Sequence, residues 1–144
     1  MKPRGPRQVS RPAGGRAGRW AAALWLAAAA VAPASACTLP ADAGATLADG
    51  PVQLAWRADP DPAVGRGFVL HLLVCPAQAR LLRVDATMPE HRHGMNYRPS
   101  LHALGDGRWR ADGLLWHMPG RWELRFDVEA GGTRHTLRQD VALR

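Results

Sequence analysis

Three features of the chain predict an all-β fold. Turn residues recur roughly every ten positions after residue 50, apolar and polar residues alternate between the turns, and no segment after residue 36 shows a helical period. Together they predict an Ig-like antiparallel β-sandwich of about seven strands. A chain of 144 residues has room for one such domain.

Residues 1–36 read as an export signal. Residues 1–19 are basic, rich in Pro and Gly, and free of acidic side chains. Trp20 to Ala32 is an apolar run, Ala-rich with Leu24, Trp25, Leu26 and Val31. Its length suits a signal and falls short of an ordinary membrane span. Pro33 ends the run, and Ala34-Ser35-Ala36 supplies the small residues of a cleavage site before Cys37. The expected location is periplasmic or otherwise exported. Three fates of Cys37 are open. It pairs with Cys75, which an exported compartment permits; it carries a lipid, since Ala34-Ser35-Ala36-Cys37 resembles a lipobox with Ala34 in the usual Leu position; or both thiols stay free. Membrane contact is expected with the lipid alone.

Residues 37–50 are small and turn-rich, and an irregular arm is expected there, with the sandwich over residues 51–144. Val52 to Ala58 is the first strand, and Asp59-Pro60-Asp61-Pro62 with Gly65 forms a turn. Gly67 to Val74 is the second, with Phe68, Leu70, Leu72 and Val74 on one face. Arg80 to Thr87 is the third, where Leu82, Val84 and Ala86 alternate with Arg83 and Asp85. Met88 to Pro99 is a loop bounded by Pro and Gly. Ser100 to Leu104, the tight turn Gly105-Asp106-Gly107, and Arg108 to Asp112 with Trp109 and Ala111 inward form a hairpin. Leu114 to Met118 follows, closed by Pro119-Gly120. The clearest period-2 stretch sets Trp122, Leu124, Phe126 and Val128 against Glu123, Arg125 and Asp127. Gly131-Gly132 turns the chain into the last strand, Arg134 to Leu143.

Charge and motif content narrow the function classes. The formal charge is +7, but six of the 19 Lys and Arg precede residue 20. The other thirteen face all 12 Asp and Glu, a net of +1. Such a domain has no electrostatic footprint for nucleic acid. No Gly-rich phosphate loop opens a helix, so no nucleotide is expected. No nucleophile sits beside a base, so the chain reads as a non-enzyme.

The most informative stretch is His91-Arg92-His93-Gly94-Met95, with His117-Met118 as its complement. Imidazole suits copper and zinc, whereas a thioether selects copper, above all Cu(I). On an extended chain His91, His93 and Met95 point the same way but ~6.5–7 Å apart, too far for one ion. Gly94 can turn the chain and bring Met95 back. His117 and Met118, expected at a strand end, close the set from a second segment. The expected metal site is His91, His93, Met95 and His117, with Met118 and Met88 as substitutes and copper as the ion. A blue-copper site is rejected, because no His follows Cys75-Pro76 closely. A runner-up reading stays open: the two loop imidazoles are solvated, Met95 and Met118 cap the core, and the loop contacts an envelope protein partner or serves as a scaffold. His71, His102 and His135 read as strand histidines, the last two facing solvent; Trp109 and Trp122 read as core, while Trp56 and Trp116 suit core or rim.

The run Asp85-Ala86-Thr87-Met88-Pro89-Glu90-His91-Arg92-His93-Gly94-Met95, followed by Gly113-Leu114-Leu115-Trp116-His117-Met118-Pro119-Gly120-Arg121-Trp122-Glu123, resembles the YtkA-like domain family. Those are small exported or membrane-anchored β-sandwich modules, similar to the FixH-type domains associated with copper oxidase assembly. The resemblance spans roughly residues 50–143. It implies a sandwich fold and a cell-envelope location, and adds modest weight to a copper-related role.

Overall fold

The computed structural model describes residues 37–144; the export-signal and cleavage-site expectations for residues 1–36 lie outside them. The described residues form nine strands and no helix. The strands are β1 (Ala45–Asp49), β2 (Val52–Asp59), β3 (Gly67–Cys75), β4 (Arg80–Met88), β5 (His93–Gly94), β6 (Ser100–Gly105), β7 (Arg108–Leu115), β8 (Gly120–Ala130) and β9 (Thr133–Leu143). One sheet has the order β1-β2-β3-β7-β6 and the other β5-β4-β8-β9, all pairs antiparallel. Seven of these strands carry the Ig constant-type layout: β2-β3-β7-β6 corresponds to the four-stranded sheet and β4-β8-β9 to the three-stranded one. The two additional strands are edge strands, β1 beside β2 in one sheet and β5 beside β4 in the other.

Alternation explains the packing. On β8, Trp122, Leu124, Phe126 and Val128 are fully buried, while Glu123 and Arg125 between them stay half-exposed. The inward faces of both sheets meet in one core, where Trp56 of β2 lies 6.2 Å from Phe126 of β8 between ring centres. Trp56 and Trp116 belong to this core, and Trp109 packs at its margin.

Three expectations are corrected. Residues 45–49 are a strand, because Ala45 and Leu47 alternate with Thr46 and Ala48 and pair with β2 through a turn at Gly50-Pro51. The pairing of β4 with β8 shifts between Leu81 and Arg83, so Leu81 is buried and Leu82 is half-exposed. His135 is not a solvent-facing side chain: it is 12% exposed, with Nδ1 3.3 Å from Asp49 on β1.

Cys37 and Cys75 are joined in a disulfide with a Cα separation of 5.4 Å, inside the usual span. It ties the segment before β1 to the end of β3. A sulfur in that bridge cannot also carry a lipid thioether.

Candidate metal centre

The Met88–Pro99 segment is a short hairpin rather than an open loop. Beyond β4, the His91 N–H donates to Met88 O at 3.1 Å and the Arg92 N–H to Pro89 O at 3.4 Å. Arg92 takes a left-handed φ of 52°, which reverses the chain. β5 then returns with His93 opposite Met88 and Gly94 opposite Thr87. Opposed residues on an antiparallel pair share a face. His93 therefore lies on the side that Met88 buries, at the open edge of the sheet. The Met95 N–H donates to Ala86 O at 3.1 Å, and Met95 packs half-buried against the core.

The second segment, residues 116–119, links β7 to β8 across the two sheets. β7 ends at Leu115, so His117 and Met118 lie beyond the strand and strict alternation does not govern them. Trp116 plunges into the core, stacks on Trp122 at 5.4 Å and meets Phe68 edge-on at 5.1 Å. The Gly65 N–H donates to Trp116 O at 2.8 Å, and Trp122 Nε1 donates to Met118 O at 3.0 Å. These bonds hold His117 outward, with Met118 half-buried against the core. Tyr97 Oη donates to Leu115 O at 2.6 Å and ties the hairpin's exit to the end of β7.

The two segments meet at His93 and His117. Their ring centres are 6.0 Å apart and nearly perpendicular, and His117 also stands edge-on to Trp122 at 5.8 Å. Both histidines are exposed. The hairpin is held from below by Arg121 of β8, whose Nε donates to Glu90 Oε1 at 3.1 Å while a terminal nitrogen donates to Asp140 at 3.0 Å. The bond to Glu90, then that to Asp140, raise the Arg121 pKa further.

His91 does not share the inward side with His93. It occupies the exposed turn, because β5 is two residues long and the reversal at Arg92 removes His91 from strand geometry. Met88 is fully buried, and a Cβ built on Gly120 would come 2.7 Å from its Cε, so Met88 is a core residue. Among the described residues, no three His, Cys, Asp or Glu side chains form a group able to hold a metal ion. The nitrogen donors that do come close are two imidazoles, with one thioether in each of their segments.

Sequence reasoning did not find two supporting groups. The Trp116–Trp122 stack and the Arg121–Glu90 pair orient the segments, yet each joins residues on different elements. Pro119-Gly120 signalled the turn, but no local pattern signals which side chains pack across it. Compared with protein-family models, with curated proteins and with solved structures, the chain matches none of them.

Proposed function

We propose that the chain is an exported copper-handling module that holds copper between its β4–β5 hairpin and its β7–β8 connection. The approach of His93 to His117, 6.0 Å between ring centres, carries this reading. Two imidazoles on one ion, with metal–nitrogen bonds of ~2 Å, set their ring centres on the order of 5–6 Å apart. The observed spacing is at the outer limit of that range, so a rotamer-scale movement suffices. His93 and His117 are the nitrogen ligands, Met95 and Met118 the soft ligands, and His91 a further imidazole from the turn. Such a mixed set accepts Cu(II) through nitrogen and Cu(I) through sulfur. The protein's part is to hold and release the ion, and no catalytic group is assigned. The motif resemblance to YtkA-like domains, and a disulfide of the kind an oxidising compartment permits, support a cell-envelope setting.

Copper titration of the purified chain tests the reading. Wild type is expected to bind one equivalent, and His93→Ala/His117→Ala to lose at least tenfold in affinity. Equal stoichiometry and affinity in both proteins would remove the assignment.

A second reading is a metal-free interaction or scaffolding module of the envelope. The observation favouring it is Tyr97, a large side chain 39% exposed on the same segment as the histidines. Absence of copper binding by the wild-type chain would leave this reading standing.

A further inference from the structure

A groove of about 360 Å³ crosses the five-stranded sheet and shares no residue with the His93–His117 site. Its charge comes from register. Arg57, His71, Arg110 and His102 are successive partners on β2, β3, β7 and β6, a row across four strands in which Arg110 and His102 share Asp112 and lie outside the groove, leaving Arg57 and His71 to face it. Leu73 and Arg108 are partners in the neighbouring row. Arg57, His71 and Arg108 line the groove together with Leu73, Leu104 and Trp109. Leu104 is 54% exposed, the most exposed large apolar side chain among the described residues. The turn at residues 40–43, closed by the Ala43 N–H on Pro40 O at 3.1 Å, forms the remaining wall. Two features hold that wall. The Cys37–Cys75 bridge anchors it, and Gly44 lies so close to β2 that a Cβ there would be 2.3 Å from Trp56 O.

The groove carries uncompensated positive charge. Among the described residues Arg57 has no ion-pair or hydrogen-bond partner for its side chain. Arg108 reaches Asp106 at 3.7 Å, but that carboxylate is 92% exposed. His71 stands 3.9 Å from Asp59. No acidic residue lines the groove among those described. Elsewhere the pairing is closer: Arg110 of this sheet, and Arg80, Arg83, Arg121, Arg125 and Arg138 of the other, each meet a carboxylate.

We infer that this groove binds a small amphipathic carboxylate, with its head group on Arg57 and Arg108 and its hydrocarbon body along Leu73 and Leu104. A guanidinium matches a carboxylate with two parallel hydrogen bonds, and the apolar side chains beside it can cover a hydrocarbon body. The volume falls in the range of small-molecule sites. Apolar surface beside the charge selects an ion with a hydrocarbon body over inorganic phosphate.

Calorimetric titration with octanoate, octanol and inorganic phosphate tests this on the purified chain. Octanoate is expected to bind saturably and at least tenfold more tightly than either control. Arg57→Ala should weaken it at least tenfold, Arg57→Lys should restore part of the loss, and Arg108→Ala should weaken it less. His93→Ala should leave it unchanged, which separates this inference from the copper reading. No saturable octanoate binding, equal binding of octanol or phosphate, or an Arg57→Ala affinity equal to wild type would overturn it.

Discussion

At the scale of single residues, His93 and His117 differ from the other histidines in their company. His71, His102 and His135 each stand beside a carboxylate, at 3.9, 3.2 and 3.3 Å. His93 and His117 face each other instead, and His117 also faces Trp122. Either single substitution to Ala is expected to weaken copper binding, and His91→Ala to weaken it less, as read by competition against a Cu(I) chelator. An effect of His91→Ala as large as that of His93→Ala would shift the site toward the turn. Asp127 makes a second, structural prediction. Its carboxylate points away from the core yet is buried, accepting from Thr136 Oγ1 at 2.8 Å and Arg125 Nε at 3.0 Å. Desolvation raises its pKa, but the bonds from Thr136 and Arg125 and the charges of Arg125 and Arg134 outweigh it and hold the group below its ordinary 3.8. A carboxylate depressed in the folded state stabilises above its unfolded pKa, and the contribution disappears as pH falls through the folded value. Asp127→Asn is therefore expected to cost about 1–3 kcal/mol near neutrality. Denaturant melts of both proteins should converge as the pH drops below that ordinary value; a gap that is constant with pH would refute the ionic account.

The elements that matter are the ones that interrupt regular strands. The hairpin after β4 needs a left-handed residue at Arg92, and the connection into β8 needs Gly120 at φ 125°. Gly120→Ala meets that backbone penalty and sets a Cβ 2.7 Å from Met88 Cε. It should cost about 1–3 kcal/mol and disturb both segments of the proposed metal site. Copper affinity measured on the folded variant should fall; an unchanged value would show that the two segments are positioned independently of this packing. The regular elements were legible in the chain. Period-2 patterning marked β8 and the turn residues marked the hairpins. Two features escaped it. β1 is five residues of mostly small side chains, and its pairing partner rather than its composition makes it a strand. The shift at Leu81 depends on how β4 meets β8, which no local alternation encodes.

Across the whole molecule, a two-sheet sandwich fixes where the loops gather. Sheet-crossing connections place the β4–β5 hairpin and the β7–β8 connection side by side. The disulfide closes a 38-residue separation and anchors the segment ahead of β1. Replacing both cysteines by Ser should lower stability by about 2–4 kcal/mol, through a less constrained unfolded chain. Thermal and denaturant unfolding under non-reducing conditions would measure it, and an unaltered midpoint would show that the bridge is dispensable.

By itself the sequence determined the all-β class, most strand positions and the residue types able to bind copper, because these follow from local periodicity and side-chain chemistry. Tertiary structure decided the rest. It set His93 against His117, turned His91 outward, buried Met88, chose the disulfide among the fates of Cys37, and aligned Arg57, His71, Arg110 and His102 in one row. Each of these outcomes depends on register and on contacts between segments far apart in the chain, and no local pattern contains that information.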